Sequence, residues 1–199
     1  MDVSRAMESL SRSGFSARYF ETAKEAADYL SGSIRGKTVG MGGSITIEQM
    51  GLYDLLKQDN TVHWHWKTNN NETRLAAAHA DVYITSANAI AETGEIINID
   101  GTGNRVAATL CWHERVVFVA GVNKLAPDFE SAMYRARNVA APLNAKRLKC
   151  KTPCAVSKEM KCYDCNSEDR ICHGVVTLLR PMGGVGETEV VLVGESLGY

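Results

Sequence analysis

The chain has 199 residues, 45% of them hydrophobic and 23% charged, with a formal net charge of −1. That length can bury the core of one domain, and the near-neutral balance gives no long-range pull towards nucleic acid or an anionic membrane. No apolar run is long enough to span a bilayer, and the opening MDVSRAMESLSRSGF lacks the apolar stretch of a signal peptide, so the expectation is a cytoplasmic protein with no membrane insertion.

In chain order, residues 2–12 and 20–31 read as helices, with Phe20, Ala23, Ala26, Ala27 and Leu30 at helical spacing in the second. Lys37–Met41 reads as a short strand, Gly42-Gly43-Ser44 as a turn, and Ile45–Leu56 as a helix capped by Ser44. His63-Trp64-His65-Trp66 alternates with the period of a strand, and Glu72–His79 is helical. Asp81–Thr85 reads as a buried strand, Ala87–Glu92 as a short helix or turn, and Ile96–Ile99 as a strand ending in the turn Asp100–Gly103. Arg115–Ala120, rich in valine, is a further buried strand, and Asp128–Ala140 an amphipathic helix. The segment 150–172 is polar with little to build a core, and Val175–Leu179 with Thr188–Val193 reads as a C-terminal hairpin around Gly183-Gly184. Alternating strands and helices predict an α/β fold with a mainly parallel, helix-covered sheet, one domain over 1–199 with 150–172 as a cysteine-rich insertion.

Three segments point to chemistry. Val39-Gly-Met-Gly-Gly-Ser44 sits between a strand and a helix, where glycine lets the backbone approach a ligand and a helix start offers N–H groups to an anion. Gly42, Gly43 and Ser44 are therefore candidate ligands for a phosphate or carboxylate. A tight turn without a ligand is the alternative, since the lysine of a Walker loop and the full dinucleotide fingerprint are missing. The second segment, Thr85–Gly94, puts many polar groups at the carboxyl end of a buried strand, where open α/β sheets bind ligands. Thr85, Asn88, Thr93 and Gly94 are candidate binding residues there, and Glu92 is the candidate catalytic acid, base or nucleophile. Asn104 and Arg105 follow on the next turn.

Third, Cys150, Cys154, Cys162, Cys165 and Cys172 follow C-x3-C-x7-C-x2-C-x6-C. Clustered cysteines in a cytosolic chain favour metal or redox chemistry. Cys154, Cys162, Cys165 and Cys172 make the best set of four, with Cys150 as a spare, and thiolates suit zinc or an iron–sulfur cluster equally well by spacing. His63 with His65, Cys111 with His113, and the basic stretch Arg135, Arg137, Lys146 and Arg147 are assigned to packing or solvated faces.

Together these segments resemble the lactate-utilisation (LUD) domain family. The resemblance is carried by Val39-Gly-Met-Gly-Gly-Ser44, Asp81–Gly94 with Ala87-Asn-Ala-Ile-Ala-Glu-Thr-Gly94, and Asp100-Gly-Thr-Gly-Asn-Arg-Val106. It continues through Gly121-Val-Asn-Lys124, which adds Asn123 and Lys124 as binding candidates, Ala141-Pro-Leu-Asn-Ala-Lys-Arg-Leu148, the cysteine segment to Cys172, and Val191–Tyr199. His113-Glu114-Arg115 stands where the family pattern would have a Gly-Pro turn. The resemblance implies a fold like that of ribose-5-phosphate isomerases and CoA transferases, and a role in organic-acid (lactate) oxidation beside iron–sulfur oxidoreductase subunits. It tilts the metal towards iron–sulfur. The other reading is an enzyme acting on a phosphorylated or CoA-linked small molecule, with a structural zinc. Both readings make the ligand a small anionic metabolite.

Overall fold

The structure, a computed structural model, describes residues 1–199. The chain runs α1 (Val3–Arg12), β1 (Ser16–Phe20), α2 (Ala23–Ser33), β2 (Thr38–Met41), α3 (Ile45–Gln49), α4 (Leu52–Leu56), β3 (Thr61–Trp64), α5 (Asn71–Ala78) and β4 (Val82–Thr85). It continues through β5 (Ala89–Ala91), β6 (Ile96–Asp100), α6 (Asn104–Ala107), β7 (Arg115–Gly121), β8 (Leu125–Ala126), α7 (Phe129–Arg135), α8 (Ala141–Arg147), α9 (Pro153–Val156), β9 (Gly174–Leu178) and β10 (Glu187–Val193). A π-helical turn over Ala136–Ala140 joins α7 to α8 into one continuous rod.

Six strands form an all-parallel sheet in the order β1-β10-β7-β4-β2-β3. Alternation along β7 shows how it is covered. Val117 and Val119 join Ala26, Leu30, Ile47 and Leu52 on one face, while Val116, Phe118 and Ala120 join Ala6, Leu10, Ile90 and Ile96 on the other. Burial on both faces is why β4 and β7 read as unbroken apolar runs. The second sheet, β8-β5-β6-β9, turns one face to that core and packs Ala89, Ala91, Ile97 and Ile99 against Ala132, Ala136 and Ala141 of the rod.

The expected fold class holds, with three local revisions. Val175–Leu179 and Thr188–Val193 form no hairpin: β9 lies at the edge of the second sheet and β10 in the middle of the first. The apolar run of β10 is the mark of a central strand, while exposed Val175 suits an edge. Ala87–Glu92 is extended rather than helical, because its small side chains let β5 pair with β6 on one side and β8 on the other. The helix expected over Ile45–Leu56 breaks at Gly51, whose φ of 63° starts a new helix. The half-buried strand β1 carries too weak an alternation to be read from sequence.

Candidate functional site

In a parallel sheet all carboxyl ends lie at one edge. Here the loops leaving β2, β3, β4 and β7, together with the chain after β10, surround a cavity of about 380 Å³. The rod contributes Ala141, Asn144 and Arg147, and the segment after α9 contributes Arg170, Ile171 and His173. Four cationic side chains line the space, Arg105, Lys124, Arg147 and Arg170, against a single carboxylate, Asp100.

Lys124 is the central feature. It follows β7 in a single 3-10 turn and is 4% exposed. Its Nζ donates to Thr46 Oγ1 and Ser86 Oγ, both at 2.8 Å, and no carboxylate answers its charge. Burial first, then the nearby charges of Arg135 and Arg105, bring its pKa from 10.5 down to about 7. The amine thus exchanges its proton near neutrality while pointing into a polar cavity.

Arg105, by contrast, is held on every side. It donates to the Ser86 carbonyl at 3.3 Å, the Ile99 carbonyl at 2.7 Å and the Asn98 side chain, and its Nε lies 3.2 Å from Asp100. It contributes fixed positive charge rather than free donors. Arg147 stacks over Trp66 at 5.0 Å and donates to Asn144 Oδ1, and Trp66 in turn stacks on Trp64. Arg170 donates to the carbonyls of Cys165 and Cys172, at 2.6 and 2.9 Å, which fixes it in the wall.

The structure brings some expected residues together and separates others. Gly43, Ser44, Asn88, Asn104, Arg105 and Lys124 line the cavity. The glycine loop offers fewer N–H groups than expected, because Gly42 N–H is already paired with the Ile84 carbonyl at 3.0 Å. Its glycines serve close packing. A Cβ on Gly42 would meet Thr85 Oγ1 at 2.8 Å, and one on Gly43 would meet Trp66 Nε1 at 2.7 Å. Ser44 caps α3, accepting from Ile47 N–H at 3.3 Å, and Asn88 Oδ1 accepts from Ile99 N–H at 2.7 Å. Gly42 and Thr85 lie behind the cavity wall. Asn123 anchors the C-terminal segment by accepting from Leu197 N–H at 3.0 Å.

Glu92, Thr93 and Gly94, expected in one strand-end site with Asn88, do not line the cavity. Strand β5 carries the chain away from Asn88, so the Glu92–Gly94 turn lies by α1. Glu92 accepts from Asp2 N–H at 2.8 Å and faces Arg5 at 3.6 Å, Thr93 pairs with Glu95 at 2.5 Å, and Gly94, with φ 110°, abuts Ser9 and Ser13.

Sequence reasoning missed Ser86, Trp66, Arg170 and Ile171 as cavity residues and set His65 and Arg147 aside. Ser86 and Trp66 lie at strand ends beside residues already singled out, so the strand-end rule could have found them. Arg147 and Arg170 come from distant segments, and no local pattern pairs them. Cys111 lies in a single bridge to Gly184, and His113, buried, holds the Ala80 carbonyl at 2.6 Å through Nδ1, as packing roles require.

The six cysteines are unpaired, and no three His, Cys, Asp or Glu side chains stand as a ready-made metal-ligand set. Cys154, Cys162, Cys165 and Cys172 nevertheless line one small chamber of about 30 Å³. No helix is long and apolar enough to cross a membrane.

Comparison with curated proteins gives no match. Among solved structures, the chain is similar to a DUF162 family protein from Deinococcus radiodurans, with a TM-score of 0.56 at 12% identity over 96% of this chain and 94% of that one. That likeness concerns the fold. The LUD domain model matches residues 3–193, and the chain therefore belongs to the LUD domain family.

Proposed function

We propose that this protein holds a small organic anion in the cavity at the carboxyl ends of its strands and moves a proton on it with Lys124, as a component of organic-acid (lactate-type) utilisation. One observation carries the reading: a buried amine with a pKa of about 7 faces a space whose cations outnumber its single, already paired carboxylate. The charge of Arg105, Arg147 and Arg170 attracts a carboxylate or phosphate. Thr46 and Ser86 accept hydrogen bonds from the Lys124 amine and so aim its remaining valence into the cavity. Near neutrality the free amine takes a proton from a hydroxyl or acidic carbon of the bound anion, and the ammonium returns it. Glu92, held against Asp2 and Arg5, takes no part, and the catalytic assignment passes to Lys124.

A second reading, an enzyme for a phosphorylated or CoA-linked substrate, is favoured by the number of cations, since three fixed guanidinium groups exceed what one carboxylate requires. Calorimetric titration with lactate, pyruvate, inorganic phosphate, ribose 5-phosphate and CoA separates the two. Binding of the 2-hydroxy or 2-oxo acid, lost in Lys124→Met, supports the first; binding of phosphate-bearing probes alone supports the second. If none of these anions binds at millimolar concentration, the anion site itself falls.

A further inference from the structure

We propose that Cys154, Cys162, Cys165 and Cys172 hold a single thiolate-bound metal centre that shares a wall with the anion cavity. The chamber selects these four thiols out of six; Cys111 and Cys150 take no part in its lining.

The segment around them has little else to order it. From Lys151 to His173 its only regular element is the four-residue α9, and Thr152 is its one buried residue. Such a stretch buries too little apolar surface to offset the entropy of ordering. A bound metal supplies the missing free energy, because its ligands converge only in the folded chain.

The local geometry is that of a ligand turn. Cys162-Tyr163-Asp164-Cys165 closes tightly, with Asp164 in the left-handed region at φ 46°. Asp164 N–H donates to Cys162 Sγ at 3.4 Å, and Arg137 Nη2 approaches the same sulfur at 3.7 Å. Two donors thus fix the position of the Cys162 sulfur at the mouth of the turn. Asn138 Oδ1 accepts from Cys162 N–H at 3.1 Å, and Arg170 holds the carbonyls of Cys165 and Cys172. The backbone is thus fastened on both sides of the chamber while the thiols remain unbonded to one another.

Ala141, Pro142 and Ala145 form the chamber's floor, directly after the π-helical turn. Ala141, Arg170 and Ile171 line both this chamber and the anion cavity. A space of about 30 Å³ admits a single ion, with the sulfurs drawing in to the ~2.3 Å of a zinc–thiolate bond. An iron–sulfur cluster requires the same four ligands to move outward.

The test is anaerobic reconstitution of the full chain, once with zinc and once with ferrous iron and sulfide, followed by metal analysis and visible absorbance. The expected result is one centre per chain, reduced at least about fivefold in Cys165→Ala and Cys172→Ala and unchanged in Cys111→Ala and Cys150→Ala. Metal should also protect the segment 151–173 from limited proteolysis. A broad visible band with bound iron and sulfide identifies a cluster. Zinc alone, with four thiolates and no open position, identifies a structural centre. Both outcomes uphold the site. Failure to bind either metal, or equal loss in the Cys150→Ala control, overturns it. The anion reading fails separately, since Lys124→Met abolishes anion binding with the metal content intact, whereas Cys172→Ala removes metal and leaves Lys124 in place.

Discussion

Replacing Lys124 with methionine should make the protein more stable and leave it unable to bind its anion. The difference between 10.5 and about 7 corresponds to about 4–5 kcal/mol of unfavourable burial for the charged amine, at about 1.4 kcal/mol per pH unit. Methionine removes that penalty at nearly constant volume. It also removes two hydrogen bonds, to Thr46 and Ser86, each contributing about 1 kcal/mol. The hydroxyls keep some partnership, since Ser86 Oγ lies 3.4 Å from Thr46 Oγ1 and Thr46 donates to the Leu197 carbonyl at 3.3 Å. The net gain is about 2–3 kcal/mol, or a rise in Tm of roughly 5–10 °C for a chain of 199 residues.

The pH dependence provides the sharper check. Below about 7 the lysine is charged in both the folded and the unfolded chain, and the full penalty applies. Between about 7 and 10.5 the unfolded chain binds the extra proton, so wild-type stability rises with pH relative to the variant. Denaturant titrations at pH 6, 8 and 10 should show the gap between variant and wild type wide at the first and closing towards the last. Anion affinity runs the opposite way in the wild type: a bound anion favours the ammonium, so binding weakens as pH rises through 7. A destabilised Lys124→Met protein, or a stability gap that does not change with pH, would refute the buried, unpaired amine.

Three other substitutions probe the cavity wall and its surroundings. Arg105→Met strands the nearly buried Asp100 and the Asn98 side chain, and should cost about 3 kcal/mol in chemical denaturation; Arg105→Lys should recover only part, because one ammonium cannot reproduce four directed contacts. Gly43→Ala pushes on Trp66, costing about 1–3 kcal/mol, and should lower anion affinity by displacing Arg147 from its stacking partner, read by calorimetry and tryptophan fluorescence. Glu92→Gln keeps an acceptor for Asp2 N–H and loses only a half-exposed ion pair with Arg5, so stability should change by less than about 1 kcal/mol and anion binding not at all.

How far the molecule could be read from its sequence follows from how local each signal is. The buried strands β4 and β7 announce themselves because both faces are covered, and Ser44, Thr22, Asn70 and Asp128 cap helices through their own side chains. The order of strands is not local: the apolar run of Thr188–Val193 marks a strand covered on both faces, but nothing in it names β1 and β7 as its neighbours. Asn88 and Glu92 show the same limit within one motif. They are four residues apart, and in a helix they would share a face. In the extended conformation each residue advances the chain by about 3.3 Å, so β5 sets them roughly 13 Å apart. The helix-or-turn reading of Ala87–Glu92 and the assignment of Glu92 to the cleft were thus one error.

The charge of the site was hidden for a related reason. A formal net charge of −1 is a sum over the whole chain, and part of the surface charge is neutralised locally in exposed pairs such as Lys24 with Asp28, Lys37 with Glu114 and Lys57 with Asp54. Subtracting exposed pairs does not alter the total, but it shows where the unbalanced charge lies. Arg105 comes from α6, Lys124 from the 3-10 turn after β7, Arg147 from the end of the long rod, and Arg170 from the cysteine segment. Each is separated from the next by about twenty residues, so no window of sequence holds two of them. Their convergence is a product of topology: parallel strands deliver their loops to one edge, and the rod and cysteine segment close over it. That edge is where the protein concentrates positive potential, and it is where an anion would be drawn.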